Sequence, residues 1–209
     1  MIKFKIIIFN KFGVTIMNVN HVNMYQLESG LNQILNAPKD NGIVQMILCR
    51  PKIEVRKILK IAKLDKDFGL VGDNWNDRGS SSTPDNSSDI ETQLTIMNSR
   101  VISLITPSSD QWQLAGDQLY IDMDLSRNNL VPLSQIKIGS AVIEISEKPH
   151  TGCQKFSNRF GLDALKFVST PLGRELALRG INTRIVQSGI VRTGDVVKKH
   201  NVFYFDAKR

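Results

Sequence analysis

Apolar positions in this chain come in short runs, many of them alternating with polar ones, and long helical stripes are scarce. The run "GIVQMILCRP" (Gly42–Pro51) is rich in aliphatic residues and lies between a turn signal and a proline, so it predicts a strand. In "VRKILKIAKL" the apolar residues Val55, Ile58, Leu59 and Ala62 follow helical spacing between lysines. That favours a short amphipathic helix, with a strand as the other reading. "QLTIMNSRVISLI" predicts one or two strands, and "GDQLYIDMDLSRNNL" a strand that ends in a turn at Asn128 and Asn129. "QIKIGSAVIEISEK" predicts two strands joined at Gly139.

After Cys153 the period changes. "GLDALKFVS" and "PLGRELALRG" predict two short helices, the second capped by Thr170 with Pro171 at its first position and closed by Gly180. "INTRIVQSGIVRTGDVVKK" returns to strands, with Thr193-Gly194-Asp195 as a hairpin turn. Residues 76–90 are dense in Ser, Asn, Asp, Gly and Pro and predict a mobile polar loop. Many short strands, few helices and frequent turns indicate a mainly β, barrel-like fold.

Composition narrows this picture. A chain of 209 residues supports one substantial core, and 41% hydrophobic with 22% charged residues is ordinary for a globular protein. The core of the domain is expected over about residues 43–198, within 21–209, and residues 1–20 are set aside as a doubtful extension. The net charge of +7 is not spread evenly. From Ser146 onward 12 Lys/Arg meet 5 Asp/Glu, and the rest of the chain balances. That excess suggests an anionic partner, or else a solvated basic surface. Two cysteines make no disulfide framework, which suggests a reducing, cytoplasmic location. No apolar run reaches the roughly 18 residues of a membrane span.

Candidate chemistry centres on "KPHTGCQKFSNRFG" (148–161). Phosphate loops, dinucleotide fingerprints, nucleophile elbows and paired CxxC motifs are all missing from the sequence. Three histidines and two cysteines can hardly close a zinc site. Cys153 follows a strand and precedes a helix, with His150, Lys155 and Arg159 nearby. Cations and a helix start favour the thiolate, which is both nucleophile and soft metal ligand. The alternative is an inert cysteine at a turn. In "GLVGDNWNDRG", Asp73 offers an acceptor or a base-orienting carboxylate, Trp75 a stacking surface and Arg78 a phosphate partner; the alternative is a turn aspartate and a core tryptophan. Arg179 and Arg184 offer guanidinium forks for phosphate, or plain surface charge.

"LVGD", the stretch from "DQLYIDMDLSRNNL" through "EKPHTGCQKFSNRFGLDALKFVS", and "GRELALRGINTRIVQSGIVRTGDVV" together resemble the MOSC family. These are the C-terminal domains of molybdenum cofactor sulfurases, which also occur as stand-alone proteins. The resemblance covers roughly Ile43 to Lys198. It implies a strand-rich barrel with Cys153 at the mouth of a pocket, carrying sulfur as a persulfide or ligating the molybdenum of molybdopterin. It also puts Asp73 near that pocket. A cysteine desulfurase is then the expected sulfur donor, with pyridoxal phosphate in that partner and not in this chain. The molybdenum cofactor, or an apo-molybdoenzyme, is the expected acceptor.

Three functions follow. The first is sulfur transfer through Cys153, with His150 orienting or deprotonating the thiol and Lys155, Arg159, Arg179 and Arg184 holding an anionic acceptor. The second is a molybdenum-cofactor reductase of N-hydroxylated compounds. The third is a basic β-barrel binding an anion such as nucleic acid; it ranks last because it leaves the cysteine motif unexplained.

Overall fold

A computed structural model describes residues 21–200 and the backbone of two preceding strands. Those strands, β1 (Phe4–Asn10) and β2 (Gly13–Val19), pair only with each other. Helices α1 (Met24–Ser29) and α2 (Leu31–Leu35) follow; Asn23 and Gln26 form a reciprocal cap at the start of α1. Next come β3 (Gly42–Cys49), β4 (Lys57–Leu59), β5 (Ile61–Asp65) and β6 (Gly69–Leu70). Helix α3 (Trp75–Arg78), β7 (Leu94–Asn98), α4 (Ser99–Ile105) and β8 (Leu119–Asp122) complete the first half. The second half holds β9 (Gln135–Ile138), β10 (Ala141–Ile145), α5 (Gln154–Phe160), α6 (Leu162–Ser169) and α7 (Pro171–Glu175). It ends with β11 (Ile181–Gln187), β12 (Gly189–Arg192) and β13 (Val196–His200).

The strand order β13-β9-β10-β11-β7-β8-β3 closes on itself because β13 also pairs with β3, giving a seven-stranded mixed barrel. Only β7 and β8 run parallel within it. Parallel neighbours need a crossover, and α4 with the 3-10 turn Ser109–Ala115 supplies it. Register shifts at Val142/Ile143 and Val44/Met46 mark bulges, which add the curvature that closure needs.

Two apolar layers hold this arrangement. Val44, Ile47, Leu94, Ile96, Leu119, Ile121, Ile143 and Ile145 point into the barrel. Ala62, Leu64, Leu70 and Val191, from the small sheet β12-β5-β6, join the same cluster and plug the barrel. The opposite face of the strands offers Met46, Leu48, Met97 and Tyr120 to α1, α2, α4, α5 and α6. Strands β3, β7 and β8 are therefore apolar on both faces, and their sequences do not alternate cleanly.

Several expected elements differ. The stretch 55–64 forms β4 and β5, not a helix: Ala62 and Leu64 point inward and Ile61 and Lys63 outward, a period of two. "QLTIMNSRVISLI" gives a strand and then a helix. Asn98 caps that helix by accepting from the Arg100 amide at 2.8 Å, and Val101, Ile102 and Ile105 bury one face of it. The Thr193–Asp195 turn joins strands in different sheets, so it is not a hairpin. Thr170 and Pro171 do start α7, but that helix ends at Glu175 with Leu176 as its cap, and Gly180, at φ +103°, instead precedes β11. The polar stretch 76–90 contains part of α3 and a hydrogen-bonded turn around Ser80, Thr83 and Ser87.

Candidate functional site: a cationic cleft beside the barrel

Segments that follow β3 and β10 and segments that precede β7, β8 and β11 come together beside the barrel. A cleft of about 490 Å³ opens there. Among the described residues its walls carry Arg50, Arg56, Arg78, Arg159 and Arg179, with Lys52, Lys148 and Lys155, against one carboxylate, Glu54.

Cys153 is exposed at this cleft and is the cap residue of α5. The first turn of that helix holds no acidic residue, and Lys155 and Arg159 project from it. Glu54 faces both, 3.7 Å from Lys155 Nζ and 2.7 Å from Arg159 Nη2. The neighbouring Arg159 holds the Glu54 carboxyl below its ordinary value. Arg56 and Arg78 have no carboxylate within ion-pair distance among the described residues. The Nε of Arg56 is buried without a hydrogen-bond partner. Concentrating like charges is unfavourable in an empty cleft and favourable once an anion enters it.

Buried carboxylates aim the cations. Asp73 has a fully buried side chain and accepts from Arg50 at Nε and Nη2, both at 3.0 Å. It also takes the backbone amides of Arg50 and Trp75. Asp73 thus orients Arg50 and does not itself line the cleft. Trp75 is buried, with Nε1 on the Asp89 carbonyl at 3.3 Å, so its ring is not at the cleft wall.

Behind the cleft, Asp117 accepts from Arg179 Nη1 at 2.8 and 3.0 Å, and its side chain is fully buried. Burial pushes the Asp117 carboxyl up, while the Arg179 fork opposes that shift. The Arg179 guanidinium lies 4.9 Å from the ring centre of Phe156 in α5, so Asp117 braces the helix that Cys153 caps. His150 Nδ1 lies 3.4 Å from Asp117 Oδ1. Burial, then the charges of Arg179 and Arg50, hold its imidazole well below the ordinary value of 6.5, so it is neutral at pH 7. No hydrogen bond joins His150 to Cys153 among the described residues.

The segment between β10 and Cys153 is pinned at several points. Asn182 Nδ2 donates to the Lys148 carbonyl at 3.1 Å, and Ser146 Oγ donates to Glu91 at 2.8 Å. Lys148 Nζ pairs with Asp89, at the far end of the polar stretch.

Six of the expected residues therefore share the cleft: Cys153, His150, Lys155, Arg159, Arg179 and Arg78. Asp73 supports it from behind. Arg184 stands apart, paired with Glu144 at 2.6 Å and near Glu91 at 3.6 Å on the barrel wall. Sequence reading missed Arg50, Arg56 and Asp117. Arg50 had a signal, a cation between the end of a predicted strand and Pro51; the "GD" before a strand was the only hint of Asp117.

No family profile and no curated protein matches the chain. Solved structures do. YuaD from Bacillus subtilis aligns with a TM-score of 0.56 at 16% identity, over 77% of this chain and 97% of its own. YiiM from Escherichia coli aligns with a TM-score of 0.50 at 14% identity, over 77% of this chain and 70% of its own. Both are MOSC-domain proteins, so the fold fits that of stand-alone MOSC proteins; at these identities the likeness concerns the fold alone.

Proposed function

We propose that this protein carries sulfur on Cys153 and hands it to an anionic metal–sulfur acceptor such as the molybdenum cofactor. The observation that carries the reading is an exposed cysteine on the rim of a cleft walled by five arginines. In loading, the Cys153 thiolate attacks the outer sulfur of a donor persulfide. A new S–S bond forms at Cys153, the donor S–S bond breaks, and the donor leaves as a thiolate. Releasing the carried sulfur as sulfide takes two electrons, which two external thiols supply as they join in a disulfide. Water at the exposed Cys153 takes the thiol proton, since buried His150 makes no hydrogen bond to it, and Arg56 and Arg78, without an ion-pair partner among the described residues, face the acceptor.

Intact mass after incubation with a cysteine desulfurase and cysteine tests this. Wild type should gain one sulfur atom that a reductant removes, and Cys153→Ser should gain none. Wild type that never gains sulfur removes the proposal.

A second reading rests on the guanidiniums of Arg56 and Arg78, which have no ion-pair partner among the described residues. The described residues contain no group of three or more His, Cys, Asp or Glu side chains that could hold a metal. A single thiolate beside an anion cradle fits a pterin that brings its own metal ligands and a phosphate. Cys153 would ligate its molybdenum, Arg56 and Arg78 would hold its phosphate, and the bound metal would supply redox chemistry toward N-hydroxylated compounds. Protein made in a host that synthesises the cofactor should then retain molybdenum and pterin, and Cys153→Ala should not.

A further inference from the structure

A second cavity, of about 160 Å³, lies behind the loop that carries His150. Residues 148–151 line both this cavity and the cleft, while Cys153 lines only the cleft. The cavity floor is apolar, made by Leu130, Ile145, Val168 and Ala177, all buried. Its rim carries Arg127 and Arg174, both exposed. Neither guanidinium has a carboxylate within ion-pair distance among the described residues. The neighbouring Glu175 does not line the cavity; its carboxylate accepts from Asn128 at 3.2 Å.

We infer that this cavity is a separate binding site for a small organic carboxylate with an apolar body. The size fits, because an apolar cavity of about 150 Å³ holds a benzene ring. The chemistry fits too: guanidinium forks match a carboxylate, and an apolar floor beneath a few polar groups is the usual build of a small-molecule pocket. Bare phosphate would leave the floor unused, and a neutral hydrocarbon would leave both arginines unused. The inference does not depend on Cys153. An occupant would touch one face of the segment 148–151 whose other face walls the cleft.

The test is calorimetric titration of the full chain with benzoate, acetate and benzyl alcohol. Benzoate should saturate with a Kd below about 10 mM, within reach of a ligand of that size. Acetate lacks the ring and benzyl alcohol lacks the charge, so each should bind at least about tenfold more weakly. Arg127→Gln with Arg174→Gln changes only exposed side chains and should weaken benzoate at least about tenfold. Arg56→Gln with Arg78→Gln, in the cleft, should leave the benzoate Kd unchanged. Absence of saturation, equal affinity for benzyl alcohol, or loss of benzoate binding in the cleft pair but not the rim pair would overturn the inference.

Discussion

Replacing Asp117 by asparagine keeps the size of the side chain and removes its charge. The carboxylate is fully buried, Arg179 is 8% exposed, and one guanidinium nitrogen sits 2.8 and 3.0 Å from its two oxygens. The substitution strands the Arg179 charge where water hardly reaches it, because Nε is already buried without a partner. Breaking a buried pair from one side costs about 3–5 kcal/mol. The low end applies if the amide oxygen of the variant still accepts one bond from Arg179. For a domain of this size each kcal/mol lowers Tm by about 2–4 °C, so Asp117→Asn should lower it by about 6–20 °C. Glu54→Gln is the control: it breaks ion pairs whose carboxylate is 58% exposed, and such pairs are worth about 0–1 kcal/mol. Circular dichroism melts and urea titrations of both variants give the comparison. Adding Arg179→Met to Asp117→Asn should restore part of the loss, since it removes the stranded charge. If Asp117→Asn falls within about 1 kcal/mol of wild type, the cleft solvates Arg179 and the bracing of α5 by Asp117 is refuted.

Stability should also fall as pH drops below about 6.5. His150 is held well below that value when folded, so the unfolded chain binds the extra proton first, with a limiting slope of about 1.4 kcal/mol per pH unit. Urea midpoints at about pH 7 and about pH 5.5 should differ for wild type and differ less for His150→Gln; equal differences would refute this origin. Of the two thiols, only Cys153 should react with a disulfide reagent in the native protein, because Cys49 is 4% exposed in the barrel core and burial pushes its thiol up. Denaturation should raise the count to two, and two fast thiols in the native state would contradict the barrel interior described above.

The sequence by itself determined the elements whose signals are local. A proline and a capping threonine start α7, Gly139 (φ +56°) turns β9 into β10, and β-branched runs mark most barrel strands. It also singled out Cys153 and the cations of α5, because they share one continuous stretch of chain. Tertiary structure decided what depends on closure. β4 and β5 read as helix because lysines between apolar residues fit either period, and only pairing with β3 and β12 selects the strand. Arg50, Arg56 and Asp117 are scattered over nearly 70 residues and come together only because the barrel brings the loops after β3 and before β8 to one side. Asp73 and Trp75 were visible as residue types but not as buried supports. Whether a side chain faces a cleft or a core depends on which strands close over it, and that is a property of the barrel and not of any local run.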